Sequence, residues 1–370
     1  MSGQPQKKKV EYDLHELVGQ VLNERLRVVQ LSYVSARQWL YEVEPPSVGK
    51  TRRALKVLGH PSGREPGSFY RLKTSLDRLK GLTCPQLEEV FEVGVLHDLT
   101  PYVVTEWEPH PSLYEQLRLR KGPLKWFEAQ SILIDVCKGL KALHAKGVTH
   151  GDLRAQHVLL RQPFADALLI DFAVSGAFGA PPAKGLERSL AYWAPERLTF
   201  AAATPSTDIY SLGVLAYLCL EGRLPFIPPT PDPKSPSDPL QALSQLHHSS
   251  TPPPMSSDAP EVIHLLVEQM LSKDPYLRPA TVSTVLALLL DPEGGSLNSE
   301  DSSPEDALAV EMNESDPWEE ALMLEATSEG VQERSAVAQV KEVKRRAQLT
   351  LFVCLALAAP LALVVHHYLL

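Results

Sequence analysis

The chain carries HGDLRAQHVLL at His150–Leu160 and, soon after, LLIDFA at Leu168–Ala173, and these two stretches say most about its fold. Each places one aspartate, Asp152 or Asp171, beside a short apolar run that favours a strand. Strands hold carboxylates rigidly at a cleft. One carboxylate can orient a hydroxyl nucleophile and the other can hold a divalent cation, and phosphoryl transfer requires both. Either aspartate alone is more often a turn or capping residue.

The apolar pattern divides the globular part of the chain, residues 10–290, into a β-rich front and an α-rich back. β-Branched runs such as Arg27–Leu31 and Arg53–Leu58 favour strands. From Phe127 onward helical periodicity dominates, in EAQSILIDVCKGLKALHAKG, TDIYSLGVLAYLCLEG and VIHLLVEQMLSKDP. LQALSQLHH, inside the proline-rich stretch Pro225–Pro260, is also helical and indicates a surface excursion. The sequence therefore predicts an α+β fold of two lobes, with ligands in the cleft between them.

Six ordered motifs extend this pattern, and with them the chain resembles the eukaryotic-type (Hanks-type) Ser/Thr protein kinase family in its bacterial style. The motifs are ALKVL (Ala54–Leu58), HGDL (His150–Leu153), IDF (Ile170–Phe172), SLAYWAPERL (Ser189–Leu198), TDIYSLGVLAYLCLEGRLPF (Thr207–Phe226) and LSKDPYLRP (Leu271–Pro279). Any one of them alone would be a weak signal. The resemblance covers about residues 17–290 and implies a two-lobed kinase fold, with a β-rich N-lobe over 17–108 and an α-helical C-lobe over 109–290.

The resemblance also implies roles for individual residues in a site for ATP and Mg²⁺, or Mn²⁺. Lys56 stands where the family has the lysine that contacts the α- and β-phosphates. Asp152 matches the catalytic aspartate that orients the substrate hydroxyl, and Asp171 matches the magnesium-binding aspartate. Arg154 replaces the usual catalytic-loop lysine and can bring positive charge to the γ-phosphate.

Further positions follow from the same resemblance. Thr105 lies at the gatekeeper position, and Glu106 to Glu108 form the hinge whose backbone would meet adenine. Ser189 stands where the family has a threonine before APE, which favours serine and threonine substrates. Three residues are expected to support the fold: Glu196 and Arg278 as an ion pair, and Asp208 as a brace of the catalytic loop.

The nucleotide-binding motifs also depart from the family pattern. The glycine-rich loop lets backbone amides approach phosphates closely. Its glycine positions here hold Tyr33, Ser35 and Gln38, whose side chains are expected to hinder that approach. The helix-C glutamate that should pair with Lys56 falls on Ser75, and the candidate replacements Asp77 and Glu65 stand out of register.

The catalytic loop and the magnesium motif differ too. His157 replaces the asparagine that binds a second magnesium ion, and a neutral imidazole is a poor ligand for that metal. Ala173 replaces the glycine after Asp171–Phe172 and stiffens the backbone there. Gly151 replaces the arginine that binds an activation-loop phosphate, so control by that phosphorylation is not expected.

Composition limits the partners of the chain. Of its 45 acidic residues, 14 lie within residues 291–333, which contain no lysine or arginine. No dense basic patch interleaved with aromatic residues is present, so a nucleic-acid partner is not expected. The four cysteines are far apart and match neither zinc nor redox-pair spacing. The expected partner is a protein, as substrate or as binding partner.

The two ends of the chain differ in character. Residues 1–16 form a basic tail without the apolar run of a signal peptide. Residues 291–346 are acidic and serine-rich, which predicts a disordered linker; within it, Asp316–Ala326 fits either a transient helix or a docking motif. Residues 349–370 predict a transmembrane tail anchor: a helix of that length spans roughly 33 Å, about one hydrocarbon thickness.

The flanking charges predict the orientation of this segment. Lys341, Lys344, Arg345 and Arg346 precede it, so the kinase-like domain is expected on the cytoplasmic side of a membrane that the chain crosses once. A buried C-terminal core helix is the alternative, but such a helix is normally apolar on one stripe rather than all round.

Three functions remain open on the sequence alone. The first is a membrane-tethered Ser/Thr kinase of weak activity, favoured by the retention of Lys56, Asp152 and Asp171. The second is a pseudokinase that acts as a signalling scaffold, favoured by the lost glycines and by His157 and Ser75. The third is a small-molecule phosphotransferase, since HGD also marks aminoglycoside and choline kinase-like enzymes. AYWAPERL and DIYSLGV, which those families generally lack, argue against it.

Overall fold

The structure is a computed structural model that describes residues 17–34, 38–45, 52–58, 66–96, 100–174, 190–199, 201–227 and 239–293. All of these belong to the first of the two units into which the chain divides, Met1–Ser299; the second unit is Glu300–Leu370. Several predictions fall outside the described residues: the basic tail 1–16, Ser35, Glu65, Ser189, all but the first three residues of the linker 291–346, and the transmembrane segment 349–370.

The N-lobe is built on a six-stranded antiparallel sheet in the order β1-β2-β3-β4-β6-β5. The strands are β1 (Val21–Leu22), β2 (Leu26–Val34), β3 (Trp39–Glu44), β4 (Arg53–Val57), β5 (Val90–Val95) and β6 (Pro101–Glu106). Side chains alternate between the two faces of a strand. On β4, Leu55 and Val57 therefore pack together in the sheet core, and Lys56 between them lies on the opposite face.

In the described part of this lobe, one helix packs against the sheet. It is α1 (Pro66–Arg78), which lies where the resemblance places helix C. Leu72 and Leu76 of α1 are buried with Leu58, Val103 and Phe172. This apolar cluster joins the helix, the sheet and the residue next to Asp171.

The C-lobe is helical, as the periodicity predicts. Its helices are α2 (Leu113–Arg120), α3 (Trp126–His144), α4 (Pro195–Leu198), α5 (Pro205–Glu221), α6 (Pro239–Ser249), α7 (Glu261–Met270) and α8 (Val282–Leu290). The three long stretches expected to be helical form α3, α5 and α7, and LQALSQLHH lies in α6. None of the helices in the described ranges is long and apolar enough to span a membrane.

A two-stranded hairpin joins the HGDL and IDF motifs. It consists of β7 (Val158–Gln162) and β8 (Ala165–Leu169), so Asp152 precedes β7 and Asp171 follows β8. Helix α3 packs very closely against this region. A Cβ at Gly139 would lie 2.7 Å from Leu169 Cδ1 and 3.2 Å from the Gln86 carbonyl oxygen, so any larger residue there would force Leu169 and the Gln86 backbone to shift. The close contact fixes β8, and the start of the Asp171 segment with it.

Candidate active site

The centre of the site is a buried lysine held between two carboxylates. Lys56 Nζ lies 2.6 Å from Glu88 Oε2 and 2.6 Å from Asp171 Oδ1, and all three residues are at most 7% exposed. Burial alone lowers the pKa of Lys56, but the charges of Asp171 and Glu88 outweigh burial and hold that pKa above its ordinary value. Lys56 therefore remains a cation at any physiological pH.

The partner of Lys56 is not on α1, where the sequence analysis looks for it. Ser75 of α1 has no carboxylate, and Asp77 pairs with Lys73 and Lys80. The expectation that Asp77 might replace the missing glutamate is therefore wrong. Glu88, which lies between α1 and β5, does so instead. In the sequence it stands beside a second glutamate, Glu89, and no pattern there distinguishes the two.

Asp171 is fixed by its backbone as well as by its charge. Its backbone adopts φ 62° and its N–H donates to Glu88 Oε1 at 2.6 Å. Its second carboxylate oxygen accepts a hydrogen bond from Gln38 Nε2 at 3.0 Å. Burial alone would raise the pKa of Asp171, but Lys56 and the other neighbouring groups hold that pKa well below its ordinary value. Asp171 is therefore ionised and already engaged through both oxygens.

The residues that replace the glycines of the loop differ in their contacts. The side chain of Tyr33 is 58% exposed, whereas Gln38 reaches Asp171. The glycine-loop pattern predicts only steric hindrance from Gln38, and this hydrogen bond could not be read from it. Ala173 adopts φ 63°, in the left-handed region, where a Cβ costs about 1–2 kcal/mol. The backbone thus keeps the conformation that suits a glycine at this position.

The catalytic loop is braced by Asp208, in the geometry expected from the family. This carboxylate accepts hydrogen bonds from the backbone N–H of His150 at 2.8 Å and of Gly151 at 2.9 Å. The His144 ring lies 2.9 Å from the same carboxylate and was not anticipated. Gly151 adopts φ 75°, a conformation that a side chain at this position would disfavour. The loop is therefore fixed from α5 and α3.

Asp152, the predicted catalytic aspartate, is 5% exposed, and its carboxylate lies close to Trp193 and Arg154. Trp193 Nε1 donates to its Oδ1 at 3.4 Å, and Arg154 Nε lies 3.5 Å from its Oδ2. The structure thus brings Asp152 and Arg154 together. Trp193, in the AYWAPERL motif, is a contact that the sequence analysis does not foresee.

His157 occupies the second metal-ligand position, but its ring is committed elsewhere. Its Nδ1 lies 2.9 Å from the Asp152 carbonyl oxygen, to which it donates. Its Nε2 accepts from Arg154 Nη2 at 2.7 Å and from Arg154 Nε at 3.1 Å. Burial first, and then the charge of Arg154, lower the pKa of His157 to about 3, so the ring is neutral.

These contacts decide how well the site suits magnesium. Magnesium prefers hard oxygen ligands, and His157 offers one nitrogen that Arg154 already occupies. Within the described part of the chain, no group of three or more histidine, cysteine or acidic side chains is arranged to hold a metal ion. The residues therefore do not fit a second magnesium ion. Asp171 is the carboxylate that the family pattern assigns to one, and its two oxygens contact Lys56 and Gln38.

The hinge and the large-lobe ion pair complete the predicted positions. Thr105 is buried, and the Glu106 N–H donates to the Glu89 carbonyl oxygen at 3.1 Å. Glu108 pairs with Arg161 at 2.6 Å, which ties the hinge to β7. In the C-lobe, Arg278 contacts Glu196 through two nitrogens at 2.6 and 2.9 Å. This pair supports the fold and does not reach the lysine cluster.

The chain matches the family model described as "Protein kinase domain" over residues 75–288. It belongs to the protein kinase family. It is 30% identical over 272 residues to the "Serine/threonine-protein kinase pkn2" of Myxococcus xanthus, an alignment that covers 70% of this chain and 31% of that protein. It is 30% identical over 268 residues to the "Serine/threonine-protein kinase PknK" of Mycobacterium tuberculosis, covering 72% of this chain and 23% of the relative.

The chain thus spans less than a third of the length of these two relatives. A solved structure of the Mycobacterium tuberculosis PknI kinase domain is similar in fold, with a TM-score of 0.54 at 21% identity. That similarity covers 74% of this chain and 97% of the solved chain. The resemblance to bacterial Hanks-type Ser/Thr kinases and the two-lobed kinase fold are both confirmed.

The neutrality of His157 predicts how stability depends on pH. The folded protein keeps this ring unprotonated down to about pH 3, whereas the unfolded chain binds a proton near pH 6.5. The free energy of unfolding should therefore fall as the pH drops from about 6.5 towards 3, by up to about 1.4 kcal/mol per pH unit for this one ring. In His157→Asn, denaturant titrations at several pH values should show a slope smaller by one proton.

His248→Asn is the matched control, because His248 is an exposed histidine of the same lobe. An unchanged slope in His157→Asn, or an equal change in the control, would contradict a buried neutral His157.

Proposed function

We propose that the chain is a Ser/Thr protein kinase of weak activity, which transfers the γ-phosphoryl group of ATP to serine or threonine hydroxyls of proteins. The observation that carries this proposal is the placement of Lys56 at 2.6 Å from both Glu88 and Asp171. Such an ion pair positions the lysine that binds phosphates, and the kinases to which the chain is similar support the reaction type.

Each retained residue has a definite task in this proposal. Lys56 supplies fixed positive charge where the phosphates lie, and Arg154 supplies a second cation near Asp152. Asp152 accepts a hydrogen bond from the substrate hydroxyl and takes its proton as that oxygen bonds to the γ-phosphorus and ADP leaves. A single magnesium ion at Asp171 would neutralise part of the phosphate charge. Ser189, before APE, would face the substrate.

Two contacts support the proposal that the activity is weak. Gln38 occupies one oxygen of Asp171, so metal binding there must displace a hydrogen bond. Arg154 donates to His157 Nε2, so this nitrogen is not available to a second metal ion, and the transition-state stabilisation that such an ion would give is missing. Each such contribution to phosphoryl transfer is a matter of a few kcal/mol, and about 1.4 kcal/mol corresponds to a tenfold rate change.

A second candidate, a catalytically inactive pseudokinase that binds partner proteins, is favoured by one observation. Both oxygens of Asp171 are occupied by the chain's own Lys56 and Gln38. If a metal ion does not displace Gln38, the cleft is a closed internal network and the fold serves as a scaffold.

Radiolabelled phosphoryl transfer by the purified full chain separates the two functions. With ATP and Mg²⁺ or Mn²⁺ and a mixed protein substrate, Asp152→Asn should lower the transfer rate by about 10²- to 10⁴-fold, because the proton acceptor is lost. Asp77→Asn is the matched control, since this exposed carboxylate lies on α1 and contacts only lysines in the described residues. No transfer above the Asp152→Asn background in either metal would reject the kinase proposal in favour of the scaffold.

We further propose that residues 349–370 anchor the protein in a membrane, with the kinase domain on the cytoplasmic face. The support is the run of 17 uncharged residues from Leu349 to Val365, preceded by lysine and arginine. Deletion of residues 349–370 should move the protein from the membrane fraction to the soluble fraction after cell lysis. A deletion variant that still sediments with membranes and resists high-salt washing would contradict the anchor.

A further inference from the structure

We infer that Glu88 is the positioning residue for Lys56, and that the hydrogen bonds of its segment to β8, rather than α1, set its position. In consequence, a displacement of α1 does not release the lysine. The inference deepens the proposed function, on which its catalytic meaning rests, but it concerns the position of a side chain and can be tested without any nucleotide.

First, the backbone of Glu88 is hydrogen-bonded to β8. Its N–H donates to the Leu169 carbonyl oxygen at 3.0 Å, and the Leu169 N–H donates to the Gln86 carbonyl oxygen at 2.8 Å. Leu87 and Leu169 form a parallel bridge. The segment that carries Glu88 is therefore joined by an isolated bridge to Leu169 at the end of β8, two residues before Asp171.

Second, both carboxylates around Lys56 are attached to β8. Asp171 follows β8 directly, and its N–H donates to Glu88 Oε1 at 2.6 Å. Helix α3 packs against β8 and the Glu88 segment, because Gly139 lies close to both Leu169 and Gln86. The distance between the two carboxylates is thus set by β8 and the segment bonded to it.

Third, α1 supplies no carboxylate to Lys56 in the described part of the chain. Asp77 is the only acidic residue of α1, and it pairs with lysines on the surface. The helix is attached by apolar packing of Leu72 and Leu76. A cavity of about 510 Å³ lies between its C-terminal end and the segment of Glu88, with Leu76, Leu79, Leu87 and Glu88 among its lining residues. In the described part of the chain, α1 makes no ion pair with Lys56.

The test measures how fast acetic anhydride acetylates Lys56 in the intact full chain, by peptide mass spectrometry. A lysine in an ion pair reacts slowly, because only its neutral amine is nucleophilic. In Glu88→Gln, which keeps the shape but removes the charge, the rate should rise about tenfold for each unit by which the lysine pKa falls. Glu89→Gln, the exposed neighbour, should leave the rate within about twofold of the wild type.

Leu76→Ala tests the independence from α1. It weakens the apolar attachment of the helix and should leave the Lys56 rate within about twofold of the wild type, after correction for general opening. Lys273, a half-buried lysine of the C-lobe, gives that correction in the same digest. A Lys56 rate that rises in Leu76→Ala but not in Glu88→Gln would overturn the inference, as would no change in Glu88→Gln.

The contribution of Glu88 to the proposed activity is measured separately, as the affinity for ATP determined by calorimetry. Glu88→Gln should weaken ATP binding at least about tenfold, as expected for loss of one positioning ion pair. If the wild-type chain binds ATP but transfers no phosphate, the proposed activity fails while the Lys56 acetylation result still decides the role of Glu88.

Discussion

The site depends on one buried positive charge, the ammonium group of Lys56, and on the two carboxylates that compensate it. An uncompensated charge in this position would cost several kcal/mol, and removal of one partner from a buried pair typically costs about 3–5 kcal/mol. The sheet must therefore place β4 next to the Glu88 segment, and β8 must end where Asp171 can turn towards the lysine. The left-handed backbone at Asp171 and Ala173 is the conformation that makes this turn.

Much of this arrangement was predictable from the sequence because it depends on local patterns. The helical periodicity of α3, α5 and α7 and the motifs around Asp152 and Asp171 indicate the fold and most of the cleft. Glu88 was not predictable in the same way, because its role depends on a strand contact with Leu169, 81 residues away in sequence. Likewise, Gln38 is 133 residues from Asp171, and only the folded sheet brings the two together.

The departures from the family pattern are connected to one another. Arg154 and His157 satisfy each other and Asp152 without a second metal ion, and Gln38 satisfies an oxygen of Asp171. Glu88 replaces the missing glutamate of α1 from the segment between α1 and β5. Buried polar groups need partners, and Gln38, Arg154 and His157 find theirs within the described part of the chain. A site with these internal contacts supports the proposal of weak activity.

The central claim is that Lys56 and Glu88 interact directly in the folded protein. A double-mutant cycle of the free energy of unfolding, with Lys56→Met, Glu88→Gln and the double variant, tests it most directly. We predict a coupling energy of about 1–3 kcal/mol, within the range found for contacting residues in one ion-pair network. Additive effects of the two substitutions, within about 0.3–0.5 kcal/mol, would contradict the account.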